Sequence, residues 1–415
     1  MSTRRDFLRT STLLGFGATV PTFLGRTALA APAADKPGAK DTVLVVVQLT
    51  GGNDGMNTVI PFTNADYYKL RPTIAVAKDQ VKKLTDDVGL HPAMSALARL
   101  YTDESAVCVV QGVGYPNPSQ SHFRSMDVWH AAGTAETLTE GWLGNALKKR
   151  GVPAFHLAGG NEASPLALAG APVRVPSITS LDDFKLKTSG VTGADQNAQK
   201  GVITGVADAG AVPMTSQPNL LDFVSRTQTN TYASSEKLAS IGKNYTPKVP
   251  YPNSALGSKL KLAAQLIDAD IGARLFYVSL DGFDTHAGQG GAAGAHANLL
   301  AQVSDAISAF YRDLAGRGHK DRLCVMTFSE FGRRAYENGS KGTDHGAAAP
   351  MFLVGGNVKA GVTGEHPSLK GLKEGNLVHG TDFRQVYAAV LDKWLGIDAK
   401  PIVGEGFKAA EVFAK

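Results

Sequence analysis

Residues 323–356 contain Leu323-Cys-Val-Met-Thr-Phe-Ser-Glu330 and Phe331-Gly-Arg333, then Gly342-Thr-Asp-His-Gly346, then Pro350-Met-Phe-Leu-Val-Gly-Gly356. The apolar run Leu323–Phe328 stops abruptly near a carboxylate, Glu330. A glycine-bounded loop then carries Asp344 and His345, and a second apolar run, Met351–Val354, follows at once. Short continuous apolar runs are the pattern of strands buried on both faces, as in parallel sheets. In open α/β sheets the loops at strand C-termini carry the site. An acid and an Asp-His pair on such loops offer oxygen and imidazole donors that can converge on a divalent cation. The stretch points to an α/β fold and to metal-assisted hydrolysis.

The flanking sequence extends this pattern. Val43–Leu49 is a β-branched run ending on Thr50-Gly51-Gly52-Asn53-Asp54-Gly55, which is strand then loop. His91–Tyr101 reads as a helix, with Met94, Leu97, Leu100 and Tyr101 at helical spacing. Ala106–Val110 is the next strand and runs into Gly112-Val-Gly-Tyr-Pro-Asn-Pro-Ser119. There Ser119 or Ser121 can cap a helix reaching His130. Leu275–Leu280 is a further strand, broken at Asp281-Gly282. Between it and Leu323, the residues Leu300, Val303, Ile307, Phe310 and Leu314 form one apolar stripe of a long helix. A helix between two apolar strands is a right-handed crossover joining a parallel pair. The loops after Leu280 and Phe328 should therefore open on the same sheet edge. The expected fold is α/β, a mainly parallel β-sheet sandwiched by helices. Residues 180–260 are rich in Gly, Ser, Thr, Asn and Gln, with helical patches near Leu220–Val224 and Leu256–Ile267. They read as a helical and loop insertion, or lid, within one domain spanning 31–415.

The chain opens with Thr3-Arg4-Arg5-Asp6-Phe7-Leu8-Arg9, an uncharged stretch of 16 residues from Thr10 to Gly25, then Arg26 and Ala28-Leu29-Ala30. Twin arginines, a short apolar region and an A-x-A site make residues 1–30 a twin-arginine signal peptide. The twin-arginine export machinery is then a partner, and the mature protein is periplasmic or secreted. A membrane span needs about 20 strongly apolar residues, and Gly15, Gly17, Pro21 and Gly25 interrupt this one, so no stable membrane span is expected. That pathway moves folded proteins, which agrees with a metal acquired before export. The leader arginines Arg4, Arg5, Arg9 and Arg26 against Asp6 account for +3 of the net +5. No basic cluster remains to bind nucleic acid. Cys108 and Cys324 each sit inside an apolar run, where buried free thiols are the plain reading.

The strand-end loops supply the candidates for chemistry: Asp54 and Asn57; Ser119, Ser121 and His122; Asp281, Asp284 and His286; Glu330; Asp344 and His345. Each alone has a plainer explanation. Asp54-Gly55 and Asp281-Gly282 are turn dipeptides, His122 can sit hydrogen-bonded on a helix face, and Glu330 can pair with Arg333 or Arg334. Jointly, four strand ends each carrying an acid, a histidine or a hydroxyl point to a shared site, because loops on a rigid sheet are where function concentrates.

Several segments together resemble the exported bacterial proteins of domain-of-unknown-function family 1501. They are the twin-arginine leader, Gln48-Leu-Thr-Gly-Gly-Asn-Asp-Gly-Met-Asn57, Gly112–Ser119, Ser121-His-Phe-Arg-Ser-Met-Asp127, Leu280-Asp-Gly-Phe-Asp-Thr-His-Ala287, Phe328-Ser-Glu-Phe-Gly-Arg333 and Gly342–Gly346. That family is similar to the alkaline phosphatase and sulfatase superfamily, whose members hydrolyse phosphate or sulfate esters with divalent metals and a strand-end nucleophile. The resemblance implies an alkaline phosphatase-like fold and an anionic ester, free or carbohydrate-linked, as substrate. It implies Asp54, Asp284, His286 and His345 as metal ligands, with Asp281 as a further candidate and either Glu330 or Asp344 as the acid of the Asp-His pair, and Zn, Mn or Mg as the ion. It implies Ser119 or Ser121 as nucleophile, beside His122, with Arg124 or Arg333 clamping an anionic oxygen. Phe331 departs from the superfamily by standing where a histidine is expected, and the Asp-to-His286 spacing is short, so a second metal site would be weakened. The alternative is an exported, catalytically silent, metal-stabilised scaffold that binds carbohydrate or protein.

Overall fold

The computed structural model describes residues 41–160, 162–181, 241–242 and 245–414. Residues 1–30, expected to be a leader, and most of the 180–260 segment lie outside the described residues. The elements below belong to the larger of two compact units, residues 36–179, 246–268 and 273–415.

Among the described residues, nine strands form the main sheet: β1 (Val43–Leu49), β2 (Val107–Gly114), β3 (Ala154–Leu157), β4 (Ser177–Ile178), β5 (Leu275–Leu280), β6 (Leu323–Phe328), β7 (Ala349–Gly355), β8 (Gly361–Thr363) and β9 (Thr381–Asp382). The order across the sheet is β8-β2-β7-β6-β1-β5-β3-β4, with β9 also pairing β2. β1 is central and parallel to both neighbours, with Leu49 opposite Leu280 and Gln48 opposite Phe328. All seven of its residues are buried, as a strand covered on both faces requires. Among the described residues, the longer α-helices are α1 (Ser95–Glu104), α2 (His122–Ala131), α3 (Trp142–Arg150), α4 (Ala255–Asp268), α5 (Ala295–Ala315) and α6 (Phe383–Ala389). Helices α2, α3 and α6 pack with Leu44, Val46, Cys108, Met326 and Leu353 on one face. Helices α1, α4 and α5 cover the other. The crossover helix α5 buries Leu300, Val303, Ile307, Phe310 and Leu314, and truncating one such leucine costs about 2–5 kcal/mol.

The direction of one strand differs from the sequence expectation. β7 is antiparallel to both β2 and β6, because an apolar run carries no direction. Its reversal still brings residues before Ala349 to the edge where β1, β5 and β6 end. Of the 180–260 segment, the helical patch expected near Leu256–Ile267 lies among the described residues and is helical. Ala255–Asp268, at its end, is a helix of the main unit, packed on α5 and β5. Cys108 and Cys324 are free and buried. Among the described residues, no helix is long and apolar enough to cross a membrane.

Candidate metal centre

The site is built at the edge where β1, β2, β5 and β6 finish. Helix α2 brings its first residue, His122, there for definable reasons. Positions 122, 125 and 129 share a helix face. Ser125 Oγ donates to the Glu330 carbonyl at 2.5 Å and meets the Tyr115 hydroxyl at 2.9 Å. Trp129 stacks on Phe328 and Phe383, with ring centroids 5.6 and 4.3 Å away. The same face therefore presses His122 against the loop that follows β6.

Three imidazoles surround one carboxylate oxygen. Asp284 Oδ1 lies 3.1 Å from His345 Nε2, 3.1 Å from His286 Nε2 and 3.5 Å from His122 Nε2. The Nε2 atoms of His286 and His345 are 2.9 Å apart. Donor atoms of His122, Asp284 and His345 all lie within 4.8 Å of one another. Each ring has its other nitrogen turned to an acceptor. His345 Nδ1 is 2.7 Å from the Gln120 carbonyl, which can only accept, so Nδ1 carries the proton and Nε2 the lone pair. His122 Nδ1 is 2.8 Å from Glu330 Oε1, and His286 Nδ1 is 3.3 Å from Asp344 Oδ1. An outer acceptor that fixes the tautomer and aims the inner nitrogen is how proteins orient histidine ligands.

Asp284 is held from behind by Arg333, whose NH2 reaches Oδ1 at 2.5 Å. The buried Arg333 also donates to the carbonyls of Gly51, Gly52, Phe283 and Thr343. One guanidinium thus ties together the loops after β1, β5 and β6. Burial works against the Asp284 charge, but the Arg333 hydrogen bond and charge outweigh it and hold the carboxyl at about 2. The hydrogen bond to Glu330 raises His122 above the usual histidine range, whereas burial lowers His345. The close packing needs glycine at two places. Gly51 (φ +114°) would put a Cβ 2.5 Å from the Asp284 nitrogen, and Gly52 (φ +79°) would put one 2.4 Å from the Phe331 ring. Phe331 itself lies against His122 and His345, at 4.9 and 4.8 Å between centroids.

The structure draws together His122, Asp284, His286 and His345, with Glu330 and Asp344 behind them as hydrogen-bond acceptors. Glu330 is fully buried and also accepts from the Gly51 N–H at 2.8 Å, so it stands one layer behind the expected ligand position. Asp344 accepts from Asn338 Nδ2 at 2.9 Å as well as facing His286. Asp54 stands apart, because both its oxygens are taken by buried Arg71, at 2.5 and 2.8 Å, and by Gln289 at 2.5 Å. Burial opposes its charge and Arg71 more than compensates, leaving its pKa lowered. Asn57 bonds to Arg71, to the Tyr67 hydroxyl and to the Ile74 carbonyl in the same network. Asp281 is exposed and accepts from the neighbouring Gly282 N–H. Arg124 spends its guanidinium on the carbonyls of Thr134, Ala135 and Glu136, facing away from an anion-clamp role. Ser121 precedes α2 without a side-chain cap, and its N–H donates to Ser119 Oγ at 3.2 Å. The Gln120 carbonyl between these serines, the Asn338 amide and the Arg71 pairing of Asp54 were missed from sequence. A backbone carbonyl leaves no residue-type signal at all.

The imidazole nitrogens of His122 and His345 with the Asp284 carboxylate, and His286 beside them, suit a borderline cation such as Zn or Mn better than Mg, which favours oxygen. The residues present fit such an ion.

The family model described as "Protein of unknown function (DUF1501)" matches residues 41–405. No curated protein matches the sequence. Among solved structures, the chain is similar to the PsFucS1 sulfatase from Pseudoalteromonas sp. at 12% identity, covering 89% of this chain and 73% of that one, with a TM-score of 0.38. It is also similar to the alkaline phosphatase from the Antarctic bacterium TAB5 at 10% identity, covering 76% and 92%, with a TM-score of 0.31. Likeness at this level carries no statement about activity.

Proposed function

The chain belongs to the DUF1501 family, and we propose that it is an exported metal-dependent hydrolase of phosphate or sulfate esters. The observation that carries the reading is the convergence of three imidazole Nε2 atoms around Asp284 Oδ1, at 3.1, 3.1 and 3.5 Å. A divalent cation held there would supply Lewis-acid polarisation of a phosphoryl or sulfuryl oxygen. Arg333 keeps Asp284 ionised and fixed, and Glu330, Asp344 and the Gln120 carbonyl keep the imidazoles aimed. Ser119 and Ser121 flank Gln120, so either hydroxyl lies one residue from the group that orients His345. Ser121 also stands at the N-terminus of α2, where the helix dipole favours a developing alkoxide. One of these two serines is the proposed nucleophile.

The scaffold reading is supported by one observation: Arg71 occupies Asp54, leaving no free carboxylate there for a second cation. Purified protein assayed for bound metal and for turnover of a panel of phosphate and sulfate esters separates the two. Bound metal with no turnover by the wild type favours the scaffold. Turnover that disappears in Ser119→Ala or Ser121→Ala, with metal retained, supports the hydrolase.

A further inference from the structure

The ion pair that occupies Asp54 is still connected to the imidazole cluster. Arg71 donates to both Asp54 oxygens, to Asn57 Oδ1 and to the carbonyls of Arg334 and Ala335. Asp54 Oδ2 also accepts from Gln289 Nε2 at 2.5 Å. An ionised carboxylate can only accept, so the Gln289 amide has one orientation, with Nε2 toward Asp54 and Oε1 turned away from it. That Oε1 accepts from Thr285 Oγ1 at 3.0 Å and from Thr343 Oγ1 at 2.7 Å. The Thr343 N–H also donates to the Thr285 carbonyl at 3.2 Å. Asp54, Arg71, Gln289, Thr285 and Thr343 are all buried.

Both threonines stand where a small shift would be felt. Thr285 lies between Asp284 and His286, and Thr343 directly precedes Asp344 and His345. One amide oxygen therefore ties the two loops whose histidines face each other, Nε2 to Nε2, at 2.9 Å. A buried ion pair is weak evidence for stability in itself. Hydrogen-bonded layers behind the ligands are what aim a metal site. Resting on the metal reading above, we propose that Gln289, oriented by the Asp54–Arg71 pair, is a positioning residue that sets the spacing of His286 and His345. It acts through the two threonine hydroxyls. Asp54 then serves the site through Gln289 and not as a ligand.

The test is zinc titration of the purified protein against a competing chelator. Thr285→Val with Thr343→Val removes both donors at little change of volume and should weaken zinc binding about tenfold. Gln289→Met should give a loss of the same size. Thr285→Ser with Thr343→Ser keeps the hydroxyls and should bind as the wild type does. Native affinity in the valine or methionine variant, or an equal loss in the valine and serine variants, overturns the proposal. If the valine pair does not fold, Thr343→Val alone takes its place under the same criteria. Histidine ring 15N signals of the metal-free protein give a readout without zinc. Those of His286 and His345 should shift in the valine variant and stay in place in the serine variant. That pattern supports the tie even if the wild type binds no zinc, in which case the metal reading alone fails. Ring signals unmoved in the valine variant overturn the tie whether or not zinc is bound.

Discussion

The Nε2 atoms of His286 and His345 face each other at 2.9 Å. Their Nδ1 atoms face oxygen acceptors, Asp344 Oδ1 at 3.3 Å and the Gln120 carbonyl at 2.7 Å, which favours the proton of each neutral ring on Nδ1. Two lone pairs at that distance repel unless a proton or a cation lies between them. A cation satisfies both and the Asp284 oxygen as well. Zinc or manganese should therefore raise the melting temperature of EDTA-treated protein. The linkage gain is about 2.7 kcal/mol at a hundredfold excess over Kd. His345→Ala should lose most of that increment, and calorimetry with and without metal reads it directly. An unchanged increment in the variant would sink the assignment.

Glu330→Gln isolates the role of the acceptor behind His122. The amide oxygen can still accept from Gly51, but the charge that supports the His122 imidazole is gone. Loss of such outer-layer partners weakens metal binding about 10–100-fold. Titration with a competing chelator should show that loss, with the melting temperature of the metal-free protein little changed. An unaltered Kd would mean that Glu330 is only a structural acceptor.

Much of this arrangement is legible in the sequence, and the part that is not has identifiable causes. The apolar runs ending at Leu49, Leu280 and Phe328, with the stripe on α5, fix which loops share an edge, because a crossover helix forces a parallel pair. The direction of β7 does not show, since Met351–Val354 would look the same either way. Asp284, His286 and His345 were legible as donors on adjoining loops. Whether Glu330 touches an ion or a histidine depends on one layer of depth, which spacing does not encode. Asp54 reads as a metal ligand from sequence because its partner Arg71 is 17 positions away, on a segment with no pattern announcing a buried ion pair.

Arg333→Lys should be costly. Lysine keeps the charge but lacks the planar fork that reaches Gly51, Gly52, Phe283, Thr343 and Asp284 together. Several buried carbonyls would lose their donor, each at about 1–3 kcal/mol. The expected outcome is a clear drop in denaturation midpoint together with weaker metal binding. Native stability with native metal affinity would show that the loops are held by other contacts.

The leader gives a prediction independent of the site. The twin-arginine pathway reads the Arg4-Arg5 pair, so Arg4→Lys with Arg5→Lys should leave full-length protein in the cytoplasm. N-terminal sequencing of exported wild type should begin at Ala31. Normal periplasmic yield from the double variant would rule out this route.

Acid stability is set by buried histidines on both sides of the sheet edge. Burial pushes His130, held between Gln48 and Tyr277, down to about 3, and His296, beside Asn53, down to about 4. In the unfolded chain both titrate near about 6.5. As pH falls below that value the unfolded state takes up protons that the folded state refuses, so stability drops. The contribution is fully present above about 6.5 and is lost progressively as pH falls toward 4 and 3. His122 acts in the opposite sense, because its raised pKa favours the folded protein at low pH. It is a third exposed, so solvent screening leaves it the smaller effect. Melting curves of EDTA-treated protein from pH 8 to 5 should therefore slope downward on acidification. His130→Gln, which keeps a hydrogen-bonding side chain but cannot titrate, should flatten that slope. An identical slope in the variant would assign the acid sensitivity to other groups.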